Sequence, residues 1–197
     1  MQHAVLRYMS TFAHRYPEHI SAKMMPRLLD LLTKREPILQ KIIEKTELRE
    51  IDDANAACAS ISIADNKLAI TINHHKFKRL FSEEKIAVLA HEYGHGVLGH
   101  LSSRTFPTED RFVVCLAQDL ALNEGLLPSY KLPAWFVTAR SLGLPAKMSA
   151  SQYIAELQKI NQKKLRRTII IPDMEVRSNP ATNRKIVKAI IDQITII

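Results

Sequence analysis

His91, Glu92, Tyr93, Gly94 and His95 form the pentapeptide His-Glu-x-x-His. Residues four apart on an α-helix share one face, so His91 and His95 can aim two imidazole nitrogens at one metal ion. Glu92 lies about 100° further round the helix. From there it can reach a water on that metal without being a ligand. Two ligands, an open coordination position and a general base are the parts of a zinc-dependent hydrolase. The plainer alternative is a pair of hydrogen-bonded core histidines beside a surface glutamate.

A catalytic zinc usually has three protein ligands, and two residues compete for the third place. His100 is near in sequence, but on a continuous helix it falls about 180° from His91. It can ligate only if the helix breaks near Gly96 or Gly99; otherwise it packs against the ligands or hydrogen-bonds to them. Asp119 is the stronger candidate. Its helical neighbours include Cys115, Leu116 and Leu122, and a carboxylate on an apolar face needs a cation or strong donors. A helix-packing carboxylate bonded to arginine or backbone is the competing reading. Asn123, one turn on, is placed to hold that carboxylate or a backbone group in position. Glu124 is the runner-up ligand, at a helix end where exposure is expected.

These side chains need two helices. Ser82 reads as an N-cap, Glu83 and Glu84 complement the helix dipole, and the helix is expected to run from Glu83 to about His100. Apolar residues surround most of it, as in a buried central helix. A second helix starts after Pro107, with Thr108 as N-cap, and carries Asp119. Upstream, residues 3–48 read as helices broken by Pro17, Pro26 and Pro37. Residues 58–63 and 68–72 alternate apolar and polar around Asp65-Asn66, a β-hairpin signal. One strand of that hairpin could hold an extended peptide by strand addition, or be purely structural. Residues 125–148 contain Pro128, Pro133, Gly143 and Pro145, the composition of a loop segment able to line a cleft. A strand over 168–172 and an amphipathic helix from about Asn179 to Ile196 end the chain.

Residues 86–101, with His91-Glu92-Tyr93-Gly94-His95 and then Gly99-His100, are followed by Ala117-Gln118-Asp119-Leu120-Ala121-Leu122-Asn123. This combination resembles the metallopeptidase domain often found beside von Willebrand A-like domains. Leu68–Asn73 upstream and Ser149–Leu157 downstream extend the likeness over roughly Pro37 to Leu157. The resemblance implies a zincin pattern completed by an A-x-D-x-x-x-N helix. It is also similar to the peptidases that cleave phage and stress repressors, where an acidic residue on a later helix completes the site. The stretch after Leu157 is too short for a von Willebrand A-like domain, so recognition by such a domain is not expected.

With 197 residues and 46% hydrophobic content, the chain can bury a proper core. No apolar run is long enough to span a membrane, and the N-terminus lacks the order of a secretory signal. Two cysteines, Cys58 and Cys115, are too few for a disulfide framework or a cysteine-rich zinc site. The expected location is the cytoplasm. The net charge of +8 gathers in His74–Arg79 and Lys163–Arg167. Such stretches can meet nucleic acid or an acidic protein, or be solvated helix faces.

The expectation is an α+β, zincin-like fold, mainly helical, with a small β-hairpin or sheet over the metal helix. Residues 1–157 form the domain, and residues 158–197 form an extension packed on it. Zn²⁺ is held by His91, His95 and Asp119 (alternatively His100), and Glu92 deprotonates the zinc-activated water for attack on a peptide or protein substrate. Tyr93, Tyr130, Tyr153 and His100 are candidates for stabilising the oxyanion. Two other functions fit the residues. One is a catalytically silent binding module on the same fold; the other is a basic nucleic-acid-associated protein with a structural, four-ligand zinc.

Overall fold

The computed structural model describes residues 24–53, 56–64, 67–101 and 110–160. The expected N-terminal helix before Met24, the Asp65-Asn66 turn, Thr108, the second basic stretch and the C-terminal extension lie outside them. The described residues form an α+β arrangement with one three-stranded sheet. None of their helices is long and apolar enough to cross a membrane.

Helix α1 (Met24–Arg35) buries Met25, Leu28, Leu29 and Leu32. That i, i+3, i+4, i+7 spacing is one helical stripe. The break expected at Pro26 does not occur: the proline lies in the first turn of α1, where its missing N–H costs no helical bond. Pro37 opens a short 3₁₀ turn (Pro37–Leu39), which leads into α2 (Gln40–Lys45). The chain then extends as β1 (Glu47–Ile51). The sequence expectation continued helix to residue 48. Three charges in Glu47-Leu48-Arg49-Glu50-Ile51 hide this strand, and pairing with a neighbour creates it.

Strands β2 (Ala59–Ala64) and β3 (Lys67–Asn73) form the antiparallel hairpin, with Ile61 opposite Ile70 and Ala64 opposite Lys67. β1 joins β3 in parallel, which gives the order β1-β3-β2 and leaves β2 at an edge among the described residues. After a single turn of helix, α3 (His74–Phe77), comes the long α4 (Ser82–Val97). Its cap is Phe81, one residue before the expected Ser82. The Phe81 N–H donates to Glu84 Oε2 at 3.0 Å, so the glutamate at the third helical position satisfies an orphan donor. Arg35 grips Glu83 with both guanidinium nitrogens, at 2.8 and 3.0 Å, and so ties the end of α1 to the start of α4.

α4 stops at Val97, earlier than expected. Gly99 adopts φ of 72°, and the His100 N–H donates to the His95 carbonyl at 3.0 Å. This left-handed residue reverses the chain at low steric cost because glycine lacks a Cβ. α5 (Arg111–Leu126) is capped by Asp110, whose carboxylate accepts from the Phe112 N–H at 2.9 Å. Loops follow to α6 (Ala150–Lys159), which has a reciprocal Ser149/Gln152 capping box.

Among the described residues, the buried apolar side chains divide into two clusters. One joins α1, α2, the sheet and α4 through residues such as Leu32, Ile42, Ile61, Ile70 and Leu89. The other joins α5 to α6 through Leu116, Leu120, Tyr153 and Leu157. α4 and α5 meet closely where Gly94 faces Leu122: a Cβ on Gly94 would lie 2.7 Å from Leu122 Cδ1. Glycine here brings the two helices together.

Candidate metal centre

The seam between α4 and α5 brings His91, His95 and Asp119 together. One ligand atom from each lies within 4.8 Å of the others. The histidine Nε2 atoms are 2.9 Å apart, and Asp119 Oδ1 stands 3.1 Å from His95 Nε2 and 3.8 Å from His91 Nε2. Neighbouring ligands of a tetrahedral zinc lie about 3.3 Å apart, given metal–ligand bonds near 2 Å. The three separations bracket that value. The donor set of two imidazoles and a carboxylate also suits a divalent transition metal. His95 is almost fully enclosed and His91 nearly so, whereas 23% of the Asp119 side chain remains accessible, so the cluster opens on the Asp119 side.

Hydrogen bonding identifies the available nitrogen on His91. Asn123 Nδ2 donates to the Val137 carbonyl at 2.8 Å, since a carbonyl can only accept. The other end of that amide, Oδ1, therefore faces His91 Nδ1 at 2.8 Å and receives its proton. In the neutral ring this leaves Nε2 with its lone pair exposed to the cluster. Such outer partners fix ring orientation at metal sites.

His100 stands behind His95, with the two Nδ1 atoms 3.0 Å apart. The helical-phase expectation for His100 does not apply, because α4 has already ended and Gly99 turns the chain back. The reversal places His100 on the outer nitrogen of His95, away from the converging donor set of His91, His95 and Asp119. Glu124 differs from its expected exposure. It is buried, and its Oε1 accepts from the Ala139 N–H at 3.0 Å, which anchors the loop before α6.

Burial governs the protonation states. It pushes His91 and His95 down to about 4, with His95 adding to the effect on His91. His100 falls to about 3 for the same reason, reinforced by His95. At neutral pH these rings are uncharged, the form that binds metal. Burial raises Glu92 to about 8; the Asp119 charge adds to this, and a hydrogen bond from the Ile61 backbone opposes it. Asp119 is also raised by burial, against the pull of His91 and His100. The buried Glu92 and the partly exposed Asp119 place two carboxyl groups beside neutral imidazoles, a cluster that gains from a cation.

Three tyrosines proposed as oxyanion partners have other positions. Tyr93 is wholly buried within the larger apolar cluster. Tyr130 donates to Glu36 Oε1 at 3.0 Å, and Tyr153 donates to the Pro145 carbonyl at 3.0 Å. In the first basic stretch, His75 pairs with Asp52 at 2.6 Å, Lys76 donates to the Ala56 carbonyl and Phe77 is buried.

Three parts of the site have no counterpart among the sequence expectations: the Val137 carbonyl, the Ile61 N–H and the Phe136 ring, whose centroid lies 4.9 Å from that of His91. The first two act through backbone and carry no residue-type signal. The only cue to the third was the proline-rich composition of its loop. No protein-family model, curated protein or solved structure matches this chain, so its function is read from the geometry of the site itself.

Proposed function

We propose that the protein is a zinc-dependent metallopeptidase of zincin-like fold, with His91, His95 and Asp119 as metal ligands and Glu92 as general base. The observation that carries this reading is the convergence of two neutral Nε2 atoms and one carboxylate oxygen at ligand spacing. Bound there, zinc would supply Lewis acidity and lower the pKa of a coordinated water toward about 7.

Glu92 is buried within reach of the Asp119 charge but lies outside the converging donor set. As a carboxylate beside the metal ligands, it would take a proton from the water and return it to the leaving amine. His100 and Asn123 hold the outer nitrogens of the two histidines and so fix the direction of the inner ones. β2 packs on α4 and is an edge strand among the described residues; the Ile61 N–H is taken by Glu92, and the rest of that edge is where an extended peptide would pair. Among the described residues three protein ligands converge, which favours a site with an open position over a closed structural one.

Metal analysis of the purified protein should find about one zinc per chain. A chelator should remove both the zinc and any hydrolysis of an unfolded protein substrate such as casein, and added zinc should restore them. Stoichiometric zinc in the His91→Ala/His95→Ala double variant would rule out this site.

A further inference from the structure

Trp135 is the chain's single tryptophan, and it is 53% exposed. Its ring meets Phe136 edge-on, with centroids 4.6 Å apart and planes at 84°. Phe136 in turn lies against the ring of His91. An unbroken series of ring contacts therefore runs from a proposed metal ligand to the surface.

The segment carrying these rings is tied down. The Phe136 N–H donates to the Pro133 carbonyl at 3.0 Å, closing a turn. The Val137 carbonyl holds Asn123, and the Ala139 N–H is held by Glu124, so consecutive residues of α5 clamp the loop from beneath. Phe136 already covers the core at this point and packs against the larger apolar cluster. Trp135 adds a large aromatic surface beyond it and leaves much of that surface in water. Exposed apolar area two ring contacts from the metal cluster, on a fixed support, is the composition of a recognition subsite.

We infer that Trp135 and Phe136 form an apolar subsite that selects substrates carrying a large aromatic or branched side chain next to the bond cleaved. This rests on the metallopeptidase reading above and deepens it by naming a substrate class. A side chain of that kind loses water on contact with Trp135 and adds edge or face contacts to its ring. A glycine or alanine at the same place leaves the tryptophan wet. A positively charged side chain could instead stack on the ring by cation–π attraction, so the test includes one.

The experiment uses the full chain loaded with zinc, its zinc content measured first. Three zinc-chelating probes are titrated: the hydroxamates of phenylalanine, glycine and arginine. Calorimetry gives affinities, and the emission of the sole tryptophan reports contact directly. The phenylalanine probe should bind about tenfold more tightly than the glycine probe, the scale on which apolar pockets discriminate, and should shift the emission. Trp135→Ala should reduce that ratio to about twofold or less, leaving zinc content and glycine-hydroxamate affinity unchanged, whereas Trp135→Phe should keep most of it. A wild-type ratio near one, tightest binding of the arginine probe, or a ratio that survives Trp135→Ala each overturns the subsite. Wild-type protein that takes up no zinc overturns the metal reading itself, and the subsite falls with it.

Discussion

His91 Nδ1 and Asn123 Oδ1 lie 2.8 Å apart across the seam between α4 and α5, and the Asn123 amide is itself oriented by the Val137 carbonyl. A loop backbone thereby determines which nitrogen of a helical histidine is free. Asn123→Ala removes both bonds and lets the ring turn. Zinc affinity should fall about 10–100-fold, read by competition with a chelating dye, with the helical circular dichroism retained. Unchanged affinity would show that the ring is held by packing alone.

The 3.0 Å contact between His95 Nδ1 and His100 Nδ1 can run in either direction. Without metal, the short Nε2–Nε2 contact of His91 and His95 needs a proton, which His95 must supply because His91 gives its own to Asn123. His100 then donates to His95. With zinc on His95 Nε2, the proton moves to Nδ1 and His95 becomes the donor. Nitrogen-15 NMR of labelled histidine should show the tautomers of His95 and His100 exchanging on zinc addition. Identical tautomers in both states would remove His95 from the ligand set.

Asp119 supplies an oxygen to the cluster, whereas His100 meets only the outer side of His95. Asp119→Ala should therefore weaken zinc far more than His100→Ala, whose loss should be about 10–100-fold at most, as for an outer hydrogen-bond partner. Parallel zinc titrations compare the two. Equal or greater loss in His100→Ala would exchange their roles.

Glu92 and the histidines give the metal-free protein opposed pH dependences. The histidines titrate at 6.5 when unfolded and near 3 to 4 when folded. Unfolded chains thus take up protons first, and stability falls as pH drops below about 6.5. Glu92 goes from 4.5 to about 8, so its favourable contribution is present below 4.5 and is lost as pH rises through 8. Thermal midpoints of metal-free protein should fall on both sides of an optimum near neutrality. Glu92→Gln should flatten the alkaline side, keep zinc binding, and lower hydrolysis by at least 10²-fold. An unaltered alkaline limb, or full activity, would contradict these assignments.

Gly94→Ala tests the seam. The added methyl would stand 2.7 Å from Leu122 Cδ1, so Leu122 or the helix carrying it must move. A gain in helix propensity of about 1 kcal/mol opposes an overpacking cost of about 1–3 kcal/mol. The melting temperature should change by only a few degrees. Zinc affinity should drop by more than that predicts, because Leu122 adjoins Asn123 and lies one turn from Asp119. Wild-type affinity would mean that the Leu122 side chain absorbs the change alone.

The sequence by itself determined the parts with local causes. The His91/His95 pair follows from the 3.6-residue period, and the β2–β3 hairpin from alternation between Ala59 and Asn73. The single apolar stripe of α1 is equally local. Where side-chain contrast is low, the sequence carries no such signal. β1 is a charged pentapeptide that becomes a strand only by lying parallel to β3. The end of α4 needed the backbone of Gly99, which reversed the chain and sent His100 to His95. Asp119 and Asn123 were visible as polar residues on an apolar helix. Their meeting with His91 and His95 required two helices from different core clusters to touch at Gly94 and Leu122. Long-range packing decided that contact, because no local periodicity encodes the distance between two helices. It also decided the use of the Val137 carbonyl and the Ile61 N–H, groups that every residue except proline carries and that only position makes specific.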